Sequence, residues 1–116
     1  MRDILLQCAG LLAIATSLAH GVLGETKVFA RASIEPKQLA ALLHGVWQAG
    51  TVAWIAGGVL LVAAPSMGSE AARHWIIIAF AVVFGSAALG NAWALRGRHV
   101  GWVALSVVVL LAFAVY

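Results

Sequence analysis

This sequence predicts an all-α integral membrane protein, a single-domain four-helix antiparallel bundle. Two observations carry that prediction. The chain of 116 residues is 64% hydrophobic and only 9% charged, with a mean hydropathy of +1.03. Its seven basic and four acidic residues all fall outside four uncharged stretches, residues 4–23, 39–64, 75–95 and 100–116. A hydrocarbon core of roughly 30 Å needs about 20 apolar residues at a rise of about 1.5 Å each, and these stretches match that length. A water-soluble bundle would repeat charged residues along one face of each helix, and no stretch does so.

Each span has its own markers. The first, residues 4–23, follows Arg2 and Asp3, whose opposite charges leave a weak positive n-region for a signal peptide. Ser17-Leu18-Ala19 before His20 would suit a signal peptidase, but an uncleaved helix is the expected state. Gln7 before the lone Cys8 is too bulky for a lipoprotein cleavage site, and one cysteine forms no internal disulfide. Pro36 suits the first turn of span two, and Pro65 ends it. The short Arg96-Gly97-Arg98-His99 turn makes spans three and four antiparallel neighbours. Trp75, Trp93, Trp102 and Tyr116 sit near span ends, where an interfacial aromatic belt is expected, whereas Trp47 and Trp54 lie deeper.

Polar side chains inside spans face other helices because lipid cannot satisfy them. In span one, Ala9, Ala13, Thr16 or Ser17, His20 and Gly24 recur at helical spacing; in span two, Ala41, His44, Gln48, Thr51, Ile55 and Gly58 do. Small residues at four-residue steps, Ala81 with Gly85 and Ser86 with Gly90, predict close helix packing in span three. Threading the chain back and forth places His20, His44, Gln48, Asn91 and His99 in one leaflet, with Glu25 just beyond. That one-sided polar cluster is the candidate site, with Gln48 and Asn91 as its interhelical hydrogen-bonding residues.

Histidine in a membrane invites a cofactor reading. His20 and His44, on adjacent antiparallel helices, could bond one another or serve as axial ligands to haem. With Glu25 or His99 they could instead hold a divalent metal. Catalysis is the weaker expectation, since no span contains an acidic residue to orient a histidine beside a nucleophile. Basic residues confined to short loops do not form a nucleic-acid surface. The expected partners are the lipid bilayer and a second copy of the chain or another membrane protein.

The run His20-Gly21-Val22-Leu23-Gly24-Glu25, a basic loop, and then His44, Trp47 and Gln48 resemble a group of small, uncharacterised four-helix bacterial inner-membrane proteins over residues 20–60. The resemblance implies the same membrane without attaching an activity, and the leading expectation is a structural or accessory subunit. In length and span count the chain is also similar to the small multidrug-resistance transporters, but it lacks the mid-membrane carboxylate of their first helix, which makes transport the lesser expectation.

Lys27, Arg31 and Lys37 follow span one, and Arg96 and Arg98 follow span three; only Arg2 and Arg73 lie on the opposite side. Basic residues in short loops are retained in the cytoplasm, so both termini are expected outside it. Reporter fusions should therefore score a site at Arg31 as cytoplasmic and a site after Tyr116 as non-cytoplasmic. A cytoplasmic signal after Tyr116 would invert the orientation.

Overall fold

The computed structural model describes residues 1–116 and contains helices, turns and no strand. Helix α1 spans Arg2–Leu23 and continues as a wider π-helical turn over Gly24–Val28. Helix α2 spans Lys37–Ala63, followed by a 3-10 turn over Ala64–Met67. Helix α3 spans Glu70–Ala94 and α4 spans Gly101–Phe113. The first three, with their terminal turns, are long and apolar enough to cross a membrane.

The expected boundaries shift for local reasons. Pro36 precedes α2 in extended conformation instead of lying inside its first turn. Gly68, at φ 66°, ends the turn after α2, and Ser69 caps α3 by accepting from the Ala72 amide at 3.2 Å. The α3–α4 turn bends through two positive-φ residues, Arg96 at 51° and Gly97 at 71°. Helix α4 has 13 residues, against the longer stretch expected at 100–116. Residues 114–116 carry the chain onward, so that the Val115 carbonyl accepts from Arg2 and the Tyr116 ring lies 4.8 Å from that of His74. The fourth segment thus runs from the polar end at His99 to the polar end at Arg2.

Consecutive helices are antiparallel. Helix α1 packs chiefly on α2 and α3 on α4, while α1 against α4 joins the two pairs and α2 touches α3 least. The shared core gathers Leu6, Ala9 and Ala13 with Leu61, Ile77, Phe84, Val108 and Ala112, toward the Arg2 end. At that end Asp3 accepts from the buried Arg73 at 2.8 Å, and Glu70 lies 3.6 Å from Arg2. Large apolar side chains such as Leu18, Val52, Val82 and Leu89 point outward. Such faces suit lipid as their solvent.

Three hydroxyls inside the helices bond back to their own helix. Ser17 donates to the Ala13 carbonyl at 2.6 Å, Thr51 to that of Trp47 at 3.2 Å, and Ser106 to that of Trp102 at 2.7 Å. They bridge no helices.

The close packing expected at Gly85 and Gly90 lies elsewhere. A Cβ built on either of them meets nothing within 4 Å. Instead α1 and α2 cross at Gly10 and Gly58, where an added Cβ would come within 2.5 Å of the Gly58 carbonyl oxygen or 2.8 Å of the Gly10 one. Backbone has no rotamer with which to yield. Gly10→Ala or Gly58→Ala should therefore cost about 1–3 kcal/mol by overpacking, whereas Gly85→Ala should be neutral or gain up to about 1 kcal/mol in helix propensity. Thermal unfolding in detergent measures the contrast; a loss at Gly85 equal to that at Gly58 would refute it.

Candidate functional site: a polar hub beside an apolar cavity

Where α1 widens, its backbone meets a row of α2 side chains. The π turn is closed by the Phe29 amide donating to the Gly24 carbonyl at 2.8 Å. A Cβ on Gly24 would collide with the indole of Trp47, so only glycine lets the two elements come this close. Trp47 Nε1 donates to the His20 carbonyl at 3.0 Å, and the two rings stack with centroids 4.1 Å apart and planes 5° from parallel. Trp54, seven residues along the same face of α2, lies 4.6 Å from the His20 ring.

Glu25 is the acceptor at the centre of this hub. His44 Nε2 donates to its Oε1 at 2.5 Å and Gln48 Nε2 donates to the same oxygen at 2.6 Å. Gln48 also reaches the Gly21 carbonyl at 3.1 Å. The spacing of His44 and Gln48 puts both on one helical face, so a single carboxylate ties the π turn to two turns of α2. Phe29 covers the His44 ring, with centroids 4.7 Å apart.

Beside the hub, the two helix pairs separate around a cavity of about 960 Å³. Helix α1 contributes Ala15, Thr16, Ala19, His20 and Leu23, and its π turn contributes Lys27 and Val28. Trp47 and Trp54 of α2, with Ala87, Gly90, Asn91 and Ala94 of α3, form further wall. Leu95, His99 and Val100 of the turn and Gly101, Ala104 and Leu105 of α4 complete it. Alanine and glycine dominate the walls given by α3 and α4, and Ala15 and Ala19 add small residues from α1. His99 Nδ1 accepts from the Gly101 amide at 3.0 Å, so a neutral His99 carries its proton on Nε2. Asn91 Oδ1 is buried without a partner.

The residues singled out in the sequence thus divide into two groups. His20, Asn91, His99 and Gly90 border the cavity; His44, Gln48 and Glu25 form the hub. His20 and His44 make no bond to one another: His44 is turned to Glu25, and His20 is held between two tryptophans. Of the two imidazoles expected as joint haem ligands, only His20 faces the cavity. Nor do His20, His44, Glu25 and His99 converge as a metal set, since nowhere do three or more His, Cys, Asp or Glu side chains come together in ligating geometry. The hub's only ligand-type pair is His44 with Glu25. Gly85 borders neither feature.

Trp47, Trp54 and Lys27 were not apparent as site residues. The available signal was the depth of two tryptophans at a seven-residue step, off the interfacial belt and on the helix face of the hub.

The chain matches no protein-family model, and neither the curated proteins nor the solved structures include a match to it.

Replacing Trp47 by Phe keeps an aromatic ring against His20 but removes the indole donor. The variant should lose about 1 kcal/mol of stability. Gly24→Ala should lose more, because the indole must leave its seat. Denaturation of both variants in detergent tests this order; a Gly24→Ala protein as stable as the parent would show that Trp47 does not fill the glycine notch.

Proposed function

We propose that this chain is an integral protein of the bacterial inner membrane that crosses the bilayer four times, with both termini non-cytoplasmic, and binds a lipophilic small molecule between its helix pairs. The cavity is the observation that carries this reading. Its volume of about 960 Å³ lies at the upper end of the range, roughly 300–1,000 Å³, that small-molecule sites occupy. Most of its lining is apolar, with a few polar groups gathered near one end, as an orienting site requires.

The fourth crossing is supported by the path of the chain from His99 to the contacts of Val115 and Tyr116 with Arg2 and His74. A molecule dissolved in the membrane would enter most readily between α2 and α3, the least extensive of the helix junctions. Binding, without turnover, is the role these residues support. The one carboxylate–imidazole pair near the site, Glu25 with His44, lies in the hub and not in the cavity wall, and no nucleophile is bonded to it. An accessory protein that holds or presents a lipophilic compound fits this arrangement.

The reading is tested with a neutral, environment-sensitive fluorophore added to protein purified in mild detergent. Saturable binding at one molecule per chain is expected, and Gly90→Leu or Ala104→Phe, which fill the space, should abolish it while helical circular dichroism is retained. Non-saturable partitioning that is the same in parent and filled variants would refute it.

A further inference from the structure

We infer that the cavity is built for a single-chain amphiphile with an anionic head, of the long-chain carboxylate class, its head at Lys27 and its chain along the alanine-lined wall. The inference rests on the ligand-binding reading above.

Charge complementarity points to this class. Lys27 is the only formally charged residue lining the cavity, and no ion pair in the structure includes it. Glu25, its close neighbour in sequence, is already engaged by His44 and Gln48. An exposed ammonium at the rim, on a stem that can lie along apolar surface, sits where a carboxylate would keep contact with water. Elsewhere in the lining, the bond from the Gly101 amide to His99 Nδ1 leaves the Nε2 proton of the neutral ring as a further donor. Asn91 stands beside it, since a Cβ on Gly101 would lie 2.8 Å from His99 Nδ1 and 3.3 Å from Asn91 Nδ2.

The remaining wall selects for the chain. Ala15, Ala19, Ala87 and Ala104 carry no donor or acceptor in their side chains, so a second polar group deeper in the ligand would be desolvated without compensation. A cationic head would meet Lys27 with no carboxylate in the wall to offset it. A neutral head would forgo the charge-assisted bond, which is about twice as strong as a neutral one.

Bromine quenching of tryptophan provides the test, because Trp47 and Trp54 face the cavity. The protein carries Trp75→Phe and Trp93→Phe to remove two outward-facing fluorophores. It is reconstituted in a zwitterionic bilayer and titrated with a dibrominated long-chain fatty acid or the alcohol of the same length. In separate samples the bilayer lipid itself is dibrominated. Saturable quenching by the acid is expected, with the alcohol roughly tenfold weaker. Lys27→Gln should bring the acid down to the affinity of the alcohol, with helical circular dichroism unchanged. In the brominated bilayer, unlabelled acid should relieve the quenching.

Equal saturable binding of acid and alcohol, or an unchanged affinity in Lys27→Gln, would overturn the ligand class while leaving the cavity as a binding site. Quenching by brominated phospholipid that the acid does not relieve would make bilayer lipid the occupant and overturn the inference. If no probe quenched saturably, the binding reading itself would fall with it.

Discussion

Missing side chains along one helix junction govern this structure. At Gly10 and Gly58 the α1 and α2 backbones approach so closely that neither tolerates a Cβ, and at Gly24 the same junction admits an indole ring in place of one. Between these points Gly21 faces Thr51, with no more room. The pair is thereby held along its length. Because dispersion and close packing replace the hydrophobic effect as the force between helices in lipid, such contacts carry the association directly. With α1 and α2 in this contact, Trp47 lies against Gly24, and His20 lies against Trp47 and Trp54.

The second pair answers to a different constraint. The tight turn through Arg96 and Gly97 joins α3 to α4, and the core around Phe84, Val108 and Ala112 attaches them to α1 near the Arg2 end. Toward the other end α3 and α4 present mainly alanine and glycine to the gap, too small to close it. Small residues therefore have opposite effects in one molecule. Where backbones cross they permit contact, and where the crossing is distant they leave space. The polar groups follow the same division. Those at the α1–α2 junction bond one another or exposed carbonyls, and those facing the gap, Asn91 and His99, keep unused capacity.

This duality explains what could be read from the chain alone. Helix number and order were legible because charge is excluded from four segments, and a single charged residue inside a span is costly enough to enforce that exclusion. The buried stripe Ala9, Ala13, Ser17 and Gly24 was legible from its period. Gly85 and Gly90 misled because spacing reports which residues share a face but not how far away the next helix lies. The partner of His44 was hidden for a related reason. Glu25 lies beyond the uncharged stretch of span one, but a π turn carries the helix on to Val28 and brings the carboxylate against α2. No residue pattern marks such a turn, at the start of which Trp47 occupies the space that a Gly24 side chain would take. The cavity depends on the distance between two pairs and is a property of no single segment.

The helix pairs leave an open space at the His99 end and form a packed core at the Arg2 end. Single cysteines in a Cys8→Ser background test it directly, with Ala104→Cys on the cavity wall and Ala112→Cys in the core of the same helix. The rate of alkylation by a small lipophilic maleimide in a bilayer is the quantity to measure. The structure predicts fast labelling at Ala104 and protection at Ala112; equal protection at both would mean that the pairs close on each other and that no cavity exists.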